Sequence, residues 1–178
     1  MKAAAAALAV LALAVPGSVG ADATALGIGY ICGAEHPGPV QAAVEAVMLK
    51  GVGNGRSPAD TTNREAQAWY DEGLNLYHAF NHNEASAAFA KAAALDPTCA
   101  LCEWGVALSV GQTLNYGVTP QQTAEALAHA ERARKLVKPG DVRAEGLISA
   151  LQLRYGKDTP AEKRDTLYGQ AMDDMVRR

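Results

Sequence analysis

No run of lysine or arginine stands out in this sequence, and its net charge is −3. Nucleic acid and anionic membrane are therefore poor partners. The N-terminal apolar run, Ala3 to Val15, falls short of the roughly 20 residues that cross a bilayer. Catalytic signatures are missing: there is no G-x-S-x-G, no phosphate-binding glycine loop and no H-E-x-x-H. That excludes the common hydrolase, nucleotidase and zinc-protease patterns and favours a non-enzymatic role. Aromatic residues make up only 6% of the chain, so a thick ring-filled core is not available. No strand-like alternation of useful length is evident, which argues against a sheet. Alanine, the best helix former, supplies much of the 49% hydrophobic content. The composition favours closely packed helices.

Residues 1–23 have the form of a secretory signal peptide: Lys2, the apolar run, Pro16-Gly17, then small residues around Ala21-Asp22-Ala23. The expected location of the mature chain is periplasmic or secreted, with no membrane span after cleavage. Residues 24–62 read as an irregular segment with one helix, Pro39 to Lys50, ended by Gly51-Val52-Gly53-Asn54-Gly55 and followed by a linker.

From Asn63, a good N-cap, the pattern turns plainly helical. Trp69, Gly73, Leu76, Tyr77 and Phe80 share one face; Asn81-His82-Asn83 breaks the run, with Asn83 a candidate cap. A second helix carries Ala85, Ala88, Phe89, Ala92 and Leu95, and Asp96-Pro97 stops it. Further helices are expected from about Thr98 to Val110, Pro120 to Val137, Asp141 to Tyr155, and Pro160 to Arg178. The fold class expected is all-α, with antiparallel helix pairs stacked as a short α-solenoid. Residues 63–137 hold the repeats, and 138–178 a third pair expected to be incomplete. Its C-terminal end, without a cap, is a candidate surface for self-association.

Trp69, Gly73, Ala85, Phe89, Ala92 and Pro97 stand at the offsets of the tetratricopeptide repeat (TPR), a helix pair of about 34 residues. Gly73 and Ala85 let the helices touch, Trp69 and Phe89 fill the space, and Pro97 ends the second helix. Trp104, Gly105 and Ala107, then Ala126, Ala130 and Ala133, resemble a second unit lengthened within Gly111 to Thr119. The stretches around Ala79-Phe80-Asn81-His82 and Asp96-Pro97-Thr98-Cys99-Ala100-Leu101-Cys102 resemble a narrower group of bacterial exported TPR proteins. Members of that group are several hundred residues long, and this chain is similar to their N-terminal portion.

The resemblance implies a scaffold that binds a protein or peptide along the first helix of each pair, with no cofactor. Carried over, the peptide-binding positions are Gln67, Tyr70, Leu74, Tyr77 and His78, then Leu101, Trp104, Leu108 and Gln112. Asp71 and Leu74 occupy the offsets at which some TPRs clamp a peptide carboxylate, so a C-terminal carboxylate is disfavoured. An apolar or aromatic peptide, or another segment of the same protein family, fits better.

Cys99-x-x-Cys102 opens a helix, where backbone N–H groups favour a thiolate. Thiol exchange, metal capture and a structural disulfide are all open to it, and the disulfide is favoured because exported cysteines usually pair. Thiol-redox or metal handling is the alternative function. His78 and His82, four apart, have the spacing of a metal pair on one helix face, but two ligands alone rarely make a site: His82 reads rather as a turn or packing residue and His78 as a groove residue, and no metal site is expected. Cys32 is then the odd thiol, open to pairing with one of the others, metal binding or pairing between chains; His36 and His129 read as solvated, and Asp71, Glu72, Glu84 and Glu103 as residues of solvated helix faces.

Overall fold

In the structure, a computed structural model, residues 44–113 and 117–177 are described. Residues 1–23, read above as a signal peptide, and Cys32 and His36 lie outside them.

Six α-helices account for most of the described chain: α1 (Arg64–His78), α2 (His82–Leu95), α3 (Ala100–Val110), α4 (Pro120–Leu136), α5 (Val142–Tyr155) and α6 (Arg164–Val176). A 3-10 turn over Ala161–Lys163 leads into α6. Among the described residues there is no β-sheet. The helix starts follow local chemistry. Asn63 accepts hydrogen bonds from the free N–H groups of Glu65 and Ala66. Thr119 and Gln122 form a reciprocal capping box ahead of Pro120. Asp141 caps α5 after a turn at Gly140, whose φ of 88° suits glycine. Asn83 is not a cap: α2 begins at His82, following Phe80 in the left-handed region (φ 63°).

Packing is sequential. α1 lies against α2, α3 against α4 and α5 against α6; α2–α3 and α4–α5 join the pairs. The first helices also meet directly, α1 with α3 and α3 with α5. This is a short α-solenoid of helix pairs, consistent with a TPR-like arrangement. Phe89 of α2 is the central wedge. A Cβ on Gly73 of α1 would lie 2.7 Å from its ring, and one on Gly105 of α3 2.3 Å. Tyr70 completes the cluster, its ring 5.5 Å from that of Phe89. Small alanines, Ala85, Ala88, Ala92, Ala126, Ala130 and Ala133, are buried along α2 and α4. At the last pair, Gly146 admits Met175, and the Arg154 guanidinium sits 4.7 Å over the Tyr168 ring.

Cys99 and Cys102 form a disulfide, with Cα atoms 5.3 Å apart and both residues buried at the start of α3. A ring closed over so few residues adds only modest stability.

His78 and His82 do not share a helix face. α1 ends at His78, and the turn places His82 at the first position of α2. His78 is exposed, whereas His82 is buried against Tyr77 (ring centroids 4.8 Å) and Phe80. Burial lowers the His82 pKa. In the unfolded chain the ring takes a proton near its ordinary pKa of about 6.5. The stability tied to the neutral ring is thus complete above that value and is lost as pH falls toward the lower folded pKa. The denaturant midpoint should drop between about pH 7.5 and about pH 5, and drop less in His82→Gln. An equal drop in both proteins would contradict this.

Candidate functional site

α1 carries a polar stripe, Gln67, Asp71 and Asn75, spaced by four residues and so aligned along one face. Four helical residues rise about 6 Å. Two residues of extended chain rise about 6.6 Å. A straight segment running along this stripe can therefore offer every second residue to every fourth helical one.

Residues 53–60 do this, antiparallel to α1, and form a strap. The Asn75 amide pairs with both backbone groups of Gly55: Oδ1 accepts from N–H (3.0 Å) and Nδ2 donates to the carbonyl (3.2 Å). Asp71 Oδ1 accepts from Ser57 N–H at 3.0 Å. Gln67 Nε2 donates to the Ser57 carbonyl at 2.9 Å, and its Oε1 accepts from Ala59 N–H at 2.9 Å. The three side chains thus serve the strap as an adjacent strand's peptide groups would. Further back, Leu49 N–H donates to the buried Glu72 carboxylate at 2.7 Å.

The strap's other side meets α5 and the turn before it. Arg143 donates to the Pro58 carbonyl (2.7 Å) and to Ser57 Oγ (2.6 Å). Lys138 Nζ donates to the Asp60 carbonyl and pairs with its carboxylate, both at 2.9 Å. The hydrogen bond to Asp60 raises the Lys138 pKa, against some loss of hydration. Ala59 is fully buried, and its carbonyl oxygen lies 3.4 Å from Cys99 Sγ. A disulfide sulfur has no proton to donate, so this is a packing contact. The strap therefore touches α1, the N-cap residue of α3, and α5. Thr61 Oγ1 donates to Asp96 and Asn63 Nδ2 to the Leu95 carbonyl, tying the strap's end to the close of α2. The hydrogen bonds from Thr61 and then Thr98 hold the Asp96 carboxyl below its ordinary pKa. Beside this end, Arg56, Thr61, Asn63, Arg64 and Asp71 line an open cleft of about 350 Å³.

The helix expected over Pro39 to Lys50 is absent in its described part, 44–50. The linker expected to follow it is the strap. One trace of it in the sequence is that the alternate positions Gly53, Gly55, Ser57 and Ala59 are all small, although that pattern does not say which face they lie against. A Cβ at Gly53 would come within 2.6 Å of Asn75 Oδ1, and one at Gly55 within 3.0 Å. Pro58 falls at a position whose N–H the ladder does not use, so proline costs no bond there.

The expected peptide-binding residues separate into groups. Gln67 bonds to the strap. Tyr70, Leu101, Trp104 and Leu108 are buried in the core and leave little surface for a ligand. Burial pushes the Tyr70 hydroxyl up to about 12, with the nearby Arg143 charge opposing. These large side chains are enclosed because helix pairs rich in alanine need them to fill the space between helices. Tyr77 and Leu74 are half-buried, His78 is exposed, and Gln112 Nε2 lies 3.4 Å from Asp165 Oδ2.

The acidic residues are also more engaged than expected. Asp71 holds the strap, and Glu72 the Leu49 N–H ahead of it. Glu103 lies between α3 and α4, with Oε2 2.6 Å from His129 Nδ1 and 3.2 Å from Arg132 Nε, so His129 is not simply solvated. Burial pushes the Glu103 carboxyl up, but His129 and Arg132 outweigh it and hold it below its ordinary pKa.

Among the described residues no three His, Cys, Asp or Glu side chains converge as metal ligands, and no helix is long and apolar enough to cross a membrane. No family model, no curated protein and no solved structure matches this chain.

Proposed function

We propose that this chain is a TPR-type scaffold, without enzymatic activity of its own, that binds an extended protein or peptide segment across the first helices of its pairs. The strap carries the reading. Its backbone, not only its side chains, is hydrogen-bonded by α1, as in recognition of an extended peptide. The bound segment happens to belong to the same chain. A periplasmic or secreted location fits the form of residues 1–23, and the Cys99–Cys102 disulfide suits an oxidising compartment. The buried disulfide gives no support to thiol exchange, since both sulfurs are enclosed.

Displacing the strap should expose the site. In Ala59→Arg, the long side chain cannot enter the space that Ala59 fills. Immobilised Ala59→Arg chain should enrich extended peptides from a displayed library, whereas the unmodified chain should not. Adding Gln67→Ala and Asp71→Ala should abolish the enrichment. No enrichment on a folded Ala59→Arg chain would overturn the proposal.

A further inference from the structure

Resting on that reading, we infer that the site selects a partner segment resembling its own strap: Gly-x-Gly-x-Ser-Pro-Ala, preferably followed by an acidic residue. Residues 53–60 act as a resident copy of that ligand, and the partner is a second polypeptide bearing this extended sequence.

Each requirement comes from a separate contact. The Ala59 position is fully enclosed beside the Cys99–Cys102 disulfide, so a large side chain there must displace core atoms. The Ser57 position needs a side-chain acceptor, because Arg143 Nη2 points a proton at its Oγ from 2.6 Å. The Pro58 position needs only a carbonyl, which accepts from Arg143 Nη1, and proline favours the extended backbone on both sides. The positions of Gly53 and Gly55 lie against the Asn75 amide, where a Cβ would come within 3.0 Å or less. The Asp60 position pairs with an exposed Lys138, so its acid is a preference, weak and salt-sensitive. Asp60 also takes a φ of 57°, a conformation that aspartate tolerates better than most residues.

The resident copy sets the strength of competition. It joins α1 through only a few residues, so its effective concentration is on the order of millimolar or higher. A free peptide binds the unmodified chain weakly for that reason, and binds well once the strap is released.

The test uses a fluorescent synthetic peptide with the sequence of residues 53–62, the same peptide with arginine replacing its alanine, and a glycine-serine peptide of equal length. With the full chain carrying Ala59→Arg, the parent peptide should bind at least ten times more tightly than either control, and ten times more tightly than it binds the unmodified chain. Equal binding of all three would sink the selectivity while leaving peptide binding standing. Binding of none to a variant of unchanged helical content would sink both. If Ala59→Arg fails to fold, the unmodified chain decides. A large excess of parent peptide should speed amide exchange at Ser57 and Ala59, and the arginine peptide should not. No acceleration by the parent, or equal acceleration by both, would overturn the inference.

Discussion

Phe89→Ala should lower the unfolding free energy by about 3–5 kcal/mol, the range for emptying a buried aromatic site. The ring is fully buried, lies against the glycine faces of both α1 and α3, and meets the Tyr70 ring at a tilt. Three helices therefore lose contacts at once. Against a total of about 5–15 kcal/mol for an ordinary domain, such a loss leaves little. The complementary change, Gly105→Ala, gains about 1 kcal/mol of helix propensity. It also places a Cβ 2.3 Å from the Phe89 ring, and overpacking of this kind costs about 1–3 kcal/mol or more. The net effect is destabilising. Because both changes act on one contact, they should not add: Phe89→Leu should recover part of the Gly105→Ala loss. Urea titrations of the singles and the double would show this. Effects that sum to within about 0.5 kcal/mol would mean that the ring and Gly105 do not press on each other.

The strap should come loose when its ladder is removed. Gln67→Ala with Asp71→Ala deletes the bonds to Ser57 N–H, the Ser57 carbonyl and Ala59 N–H. At about 1 kcal/mol each, the released population rises roughly a hundredfold. Arg56 is exposed within the strap, and the amide of Ser57, on the far side of its tryptic bond, is held by Asp71. Under conditions where cleavage follows the open population, trypsin should cut after Arg56 roughly a hundred times faster in the double variant. The helical content should be unchanged, since neither side chain supports the helix interior. A rate within about threefold of the unmodified chain would show that α1 does not hold the strap.

The helices were legible because their punctuation is local. Asn63, Asp96-Pro97, Thr119-Pro120 and Asp141 each mark a boundary within a residue or two of the one found. The pairing of α1 with α2 was legible for the same reason: Gly73 and Phe89 are complementary, and a short turn leaves antiparallel packing as the compact choice. The strap was not, because its backbone bonds go to side chains far along the chain, and no propensity reports that. The glycines at 51, 53 and 55 read as a helix stop. Their role at 53 and 55 is to let the backbone approach Asn75. Tyr70 and Trp104 failed as a guide to a free surface for a related reason. Offsets place a residue on a helix face, but what covers that face depends on tertiary contacts, and Tyr70 faces Phe89. The metal-pair spacing of His78 and His82 presupposed a continuous helix, which the left-handed Phe80 interrupts.

Amide hydrogen exchange along the strap, resolved residue by residue in the native chain, tests the central claim most directly. The ladder holds Gly55, Ser57 and Ala59 through their N–H groups and makes no bond to those of Asn54 and Arg56. Gly55, Ser57 and Ala59 should exchange at least ten times more slowly than Asn54 and Arg56 after correction for intrinsic rates, a difference of about 1.4 kcal/mol. Uniform, unprotected exchange from 54 to 59 would contradict a segment bound by its backbone across this face.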